Sequence, residues 1–295
     1  MEKLSFNLAL SRILENVDEV TSTEKISVLE AFQEARKIYR TEGKMLKAAE
    51  CMSYEACCYG RFIPIEALEN AERFLKKVDA MVKEAEDIFK KEDGKEGLAR
   101  LHMLVGETYR DEISKRKKIR KMSMEKALNH FKEALEINLT LGDIKKIPES
   151  REGIATCFGI IAHLDMKNSK QNLHSAIEEY EACMHEYTVA EDEVSTGRVY
   201  MNCGVVLREL ALRSDEDSKE ILDKALKYFS VAEEIFDKYE FKEGIVGTKI
   251  ASSMVYINLA IHDPEKNEEY MNISYQLSEE VRGIMNEIDI NSEVT

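Results

Sequence analysis

The sequence predicts an all-α fold built from about six antiparallel helix hairpins stacked in a row. Two observations predict it. Only 3 prolines and 13 glycines interrupt 295 residues, which favours long helices and short connections. A short apolar pattern also recurs along most of the chain at a spacing near 49 residues. A glycine in mid-helix and glycine punctuation at the helix ends repeat with it.

The pattern is clearest in three segments, MEKALNHFKEALEI from Met124, SAIEEYEACMHEY from Ser175 and DKALKYFSVAEEIF from Asp223. Ala127, Ala176 and Ala225 are spaced by 49 residues; Phe131, Tyr180 and Phe229 follow four residues later, and Ala134, Cys183 and Ala232 three after that. This spacing puts a small, an aromatic and a second small residue on one face of a helix. Upstream, Val78, Val82 and Ala85 and then Val28, Phe32 and Ala35 hold the same places, and downstream Met271, Tyr275 and Ser278.

The partner helices carry a second pattern. Gly106, Gly159 and Gly204 sit inside helical runs, where glycine costs about 1 kcal/mol and is tolerated when another helix comes close. Cys57 and Ser253 hold that place in the flanking copies. Gly43, Gly94 and Gly142 are expected as helix C-caps. Thr21 with Glu24 and Asp217 with Glu220 have capping-box spacing. Pro64, Pro148 and Asp263–Pro264 suit helix starts. The expected helices cover 4–19, 23–42, 44–61, 65–91, 94–117, 122–141, 144–165, 168–189, 191–213, 216–240, 242–262 and 266–288. Hairpins that pack only on their neighbours share one elongated core, so 1–290 is expected to be one repeat domain with a tail at 291–295.

The paired pattern resembles the tetratricopeptide repeat. His102, Val105, Gly106 and Tyr109 match its first helix, with Ala127, Phe131 and Ala134 on the second. Tyr200, Cys203, Gly204 and Leu207 match again, with Ala225, Phe229 and Ala232; Ala155, Phe158, Gly159 and Ala162 match more loosely, with Ala176, Tyr180 and Cys183. The spacing of about 49 exceeds the family's 34, and the proline that closes each family repeat is absent. The resemblance implies a right-handed superhelix and binding of peptides or protein surfaces in a concave groove. It implies no activity.

Charge and motifs narrow the classes. With 42 Lys and Arg against 57 Asp and Glu, the net charge of −15 disfavours wholesale nucleic-acid binding. No apolar run is read as a membrane span or a signal peptide. Cys51, Cys57, Cys58, Cys157, Cys183 and Cys203 lack metal-site spacing and read as reduced core thiols in a cytoplasmic protein. The histidines form no recognised metal motif and no phosphate loop or nucleophile elbow is present, so no enzyme, metal or cofactor is expected. His102 reads as a packing residue.

On the tetratricopeptide template the groove positions read Arg61, Arg110, His163 and Arg208, with Arg100 and Arg198 earlier in two helices. Arginine suits acidic peptides, phosphate or a terminal carboxylate, because its planar fork makes two parallel charged hydrogen bonds. The competing reading pairs these arginines with neighbouring acids. Tyr54, Met103 and Met201 occupy another groove position, where methionine offers adaptable apolar contact or simply fills the core. Lys115, Arg116, Lys117, Lys118, Arg120 and Lys121 crowd the turn between helices 94–117 and 122–141, either as a solvated loop or as an anion contact. The C-terminal helix bears Tyr275, Leu277, Val281, Ile284, Met285 and Ile288 with no polar cap after it, a face suited to self-association. The expected function is a non-enzymatic adaptor or scaffold for a protein or peptide partner, an acidic one if the basic row is the site. A ligand-sensing regulator or a self-associating accessory subunit is the alternative.

Overall fold

The computed structural model describes the backbone of residues 22–61, 68–111, 117–214 and 218–293, and the side chains of 28–59, 75–111, 117–214 and 218–288. The described elements are all helical: α1 (Ser22–Thr41), α2 (Met45–Arg61), α3 (Leu68–Lys91), α4 (Lys95–Arg110), α5 (Lys117–Leu141), α6 (Lys146–Leu164), α7 (Ser169–Val189), α8 (Glu193–Ala211), α9 (Ser218–Lys238), α10 (Lys242–His262) and α11 (Asn267–Glu293). The expected helix 4–19 lies outside the described residues, as do Thr21, Pro64 and Asp217. The chain divides into two compact units, Met1–Asp143 with α1–α5 and Ile144–Thr295 with α6–α11. Within each unit consecutive helices pack on one another, and α2–α4 and α8–α10 are also neighbours.

The repeat pattern is the core pattern. Ala127, Ala176 and Ala225 are fully buried, as are Ala134, Cys183 and Ala232, and Phe131, Tyr180 and Phe229 lie between them with at most 3% exposure. Phe32 and Val82 do the same work in α1 and α3. Burying each such ring contributes about 1.5–3 kcal/mol. Gly106 and Gly204 admit these rings: a Cβ on Gly106 would meet Phe131 at 2.9 Å, and one on Gly204 would meet Phe229 at 2.5 Å. Gly159 differs, because a Cβ there would find only Val206, at 3.7 Å. Tyr180 in that hairpin instead places its hydroxyl 3.0 Å from Thr156 Oγ1.

The connections repeat too. Gly43 and Gly142 adopt positive φ as expected, 72° and 67°. Gly94 does not; the left-handed residue in that turn is Asp93, at φ 53°, and Gly94 follows at φ −84°. Its smallness serves packing, since a Cβ would meet Leu46 at 2.6 Å. Glu191 and Glu240 complete the series at φ 58° and 52°. In all five turns the next N–H reaches back to the carbonyl of Tyr39, Phe89, Asn138, Tyr187 or Phe236 at 2.8–3.1 Å, which satisfies carbonyls the helix end would orphan.

Three expectations are corrected. The helix expected over 94–117 ends at Arg110, and α5 begins at Lys117 rather than 122. Lys117, Lys118, Arg120 and Lys121 are therefore helical, although cations oppose the dipole of a helix start. In α11 the frame is shifted by one residue. Met271 and Tyr275 are 45% and 66% exposed, while Ser274 is buried and bonds Ser253 Oγ at 2.8 Å. A hydroxyl pair fills the place that an aromatic ring fills elsewhere, so the aromatic pattern misleads here.

Candidate functional site

The structure places the basic row among acids. In the first unit, Arg100 lies 3.7 Å from Glu50, and Arg110 bonds Asp111 at 2.9 Å with its guanidinium over the Phe131 ring. Tyr54 is buried and stacked on Phe32, and Met103 is half-buried. The side chain of Arg61 lies outside the described residues, as do Lys115 and Arg116.

In the second unit the pairs link successive helices. Arg198 on α8 grips Glu152 on α6 with two hydrogen bonds, 3.0 and 2.9 Å. Burial acts against this guanidinium, but the Glu152 bonds outweigh it and hold its pKa above the ordinary value. Arg208 and Arg213 both contact Glu209, at 2.6 and 2.9 Å. Burial opposes the Glu209 charge, and the two arginines nonetheless keep its pKa below the ordinary carboxylate range. His163 Nε2 is 3.9 Å from the same carboxylate. Arg198 also borders a cavity of about 620 Å³ at the α7–α8 turn, with Tyr187 and Asp192. Met201 packs against the cores on both sides of α8. Lys121, from the basic run, lies 3.8 Å from Glu125 one turn on, while Lys117 and Lys118 are exposed.

Two clusters escaped sequence reasoning. The first is a stripe on α10: Ile250, Met254, Ile257 and Ile261 are 43%, 46%, 40% and 68% exposed. Their four-three-four spacing makes one continuous helical face. The opposite side of α10 buries Ile245, Ala251, Val255 and Leu259. Apolar residues on two faces explain why Lys242–His262 is the one described helix long and apolar enough to cross a membrane. Arg208 Nη1 touches Met254 Sδ at 2.7 Å, so the basic row of this unit meets the apolar stripe. A two-faced apolar helix gives a weak period, which hid the exposed face in the sequence.

The second cluster joins three helices of the first unit. His102 on α4 and His130 on α5 bring their Nδ1 atoms to 3.0 Å, and one polar atom of Glu86 on α3 lies within 4.8 Å of a ring nitrogen of each. Burial pushes both imidazoles down to about 4. A motif within one helix would have shown as spacing. Ligand atoms drawn from three helices leave no such trace.

No protein-family model and no curated protein matches this chain. Among solved structures, the chain is similar to BtubC (BKLC) from P. vanneervenii, at a TM-score of 0.61 and 18% identity over 90% of this chain and 93% of that one. A circular tandem repeat protein with a novel repeat topology aligns at a TM-score of 0.38 and 14% identity, over 99% of this chain and 72% of that one. The first likeness shows the fold, a helical repeat, and the second adds nothing to it.

Proposed function

We propose that the protein is a non-enzymatic interaction scaffold that docks an amphipathic helix of a partner on α10. The observation that carries this is the exposed stripe Ile250–Met254–Ile257–Ile261. It spans about 17 Å at 1.5 Å per residue, enough for three turns of a helix seated by its own i, i+3, i+4 and i+7 anchors. Arg208 borders the stripe, touching Met254 while it pairs with Glu209, so the rim of the docking surface is polar. The tetratricopeptide-like pattern supports the same reading, because that family docks peptides on its first helices. A reducing cytoplasm fits six buried thiols outside any disulfide.

The test is affinity capture from source-cell lysate with wild type, Ile257→Lys and Arg208→Glu, each first shown to be folded. A partner should be lost with Ile257→Lys and weakened with Arg208→Glu. Identical partner lists for all three would overturn it.

A second reading rests on α11, where Met271, Tyr275 and Met285 are exposed on one side. It assigns self-association to the C-terminal helix. Sedimentation over a concentration series would show a dimer that Tyr275→Glu dissociates; a monomer throughout would exclude it.

A further inference from the structure

We infer that Glu86, His102 and His130 form a binding site for one divalent transition-metal ion, with Zn²⁺ the best fit to two imidazoles and one carboxylate. The Nδ1 atoms of His102 and His130 are 3.0 Å apart. Two ligands at about 2.0–2.1 Å from Zn²⁺ in a tetrahedral angle lie about 3.3–3.4 Å apart, so the pair needs to open by only a few tenths of an ångström. The third ligand is within reach, since the donor atoms of all three residues fall within 4.8 Å of one another. Glu86 is half-buried, and its carboxylate would have to close the remaining distance to the two nitrogens on metal binding.

Lys90 donates to Glu86 Oε2 at 3.2 Å, and a carboxylate has lone pairs left on its second oxygen for a metal. Neutral imidazole is the form that ligates. Tyr109 stacks on His130 with 8° between the rings, and its hydroxyl bonds Asp79 while Lys126 holds that carboxylate at 2.6 Å. The stack on a tethered Tyr109 restrains the plane of the His130 ring. His102 also borders a cavity of about 350 Å³ lined by α3, α4 and α5, and a zinc ion held by three side chains takes a water as its fourth ligand. A bound ion would clip three helices of the first unit together. Without metal, one neutral imidazole donates to the other, and that is the competing state.

The full-length protein, dialysed against a chelator, would be titrated with Zn²⁺ by calorimetry and with Co²⁺ by visible absorption. One ion per chain should bind saturably, Co²⁺ should develop the intense bands of low coordination, and Zn²⁺ should raise the thermal midpoint. His130→Gln and Glu86→Gln should each weaken binding about 100-fold or more, with unchanged helical circular dichroism. His163→Gln, a solvent-facing histidine in the other unit, should not alter it. These half-buried positions keep the test decisive if His102→Gln fails to fold. No saturable binding in the wild type would overturn the site. So would wild-type affinity in His130→Gln or in Glu86→Gln, the latter reducing the ligands to a bare histidine pair.

Discussion

Phe229 closes on Gly204 so tightly that a Cβ at 204 would lie 2.5 Å from its ring. The same relationship joins Phe131 and Gly106, with 2.9 Å, and it fails at Gly159, where 3.7 Å is ordinary contact. Glycine to alanine in a helix normally stabilises by about 1 kcal/mol. Gly159→Ala should therefore gain about 0.5–1 kcal/mol, whereas Gly204→Ala should lose about 1–3 kcal/mol through overpacking. Denaturant titrations of the two variants check this. Equal effects would mean that the rings do not fix these glycines.

Glu191 and Glu240 hold φ near 58° and 52° at helix ends where Gly43 and Gly142 occupy the equivalent turns. A side chain in this region costs free energy that glycine avoids. Glu240→Gly and Glu191→Gly should each stabilise by about 0.5–1 kcal/mol, net of glycine's greater freedom when unfolded. A midpoint that falls in either variant would contradict the turn geometry.

Glu55 is 1% exposed, and Arg36 Nε sits 2.8 Å from its Oε1 without the alignment of a hydrogen bond. Burial raises its pKa to about 7; Arg36, Lys77 and Arg40 pull the other way and Glu84 adds to the rise. The folded protein thus holds a proton that the unfolded chain releases near 4.5. The stability Glu55 contributes is complete below 4.5, declines as pH rises, and is gone above about 7. Glu55→Gln should remove this slope. Unfolding free energies at several pH values for both proteins decide it, and parallel profiles would refute the assignment.

All six thiols are buried and outside any disulfide. Burial raises Cys51 to about 12, with Glu55 and Glu50 adding to it, and raises Cys183 and Cys203 as well. A thiol reacts as its thiolate. The native protein should consume almost no aromatic disulfide reagent over minutes and react at all six sites once denatured. Rapid native labelling of Cys51, Cys183 or Cys203 would show that their helices open.

The described helices, apart from the bounds around the α4–α5 turn, their pairing within each unit and most of the core were legible in the sequence. Burial follows a period that a string of residues carries: Ala127, Phe131 and Ala134 recur as Ala176, Tyr180 and Cys183, then as Ala225, Phe229 and Ala232, and all nine are buried. A glycine inside a helix marked close approach at 106 and 204, whereas the same signal at Gly159 has no ring behind it. The tertiary structure alone decided the rest. Asp93 rather than Gly94 turns the chain, since a left-handed residue is chosen by hydrogen bonds to the preceding helix end. Ser274 replaces Tyr275 in the core because Ser253 offers it a partner across the hairpin. Whether Arg198 faces a ligand or Glu152 depended on a residue 46 positions away, and the meeting of Glu86, His102 and His130 on the packing of three helices. Periodicity reports which face of a helix is apolar. It is silent on which side chains of other helices that face will meet.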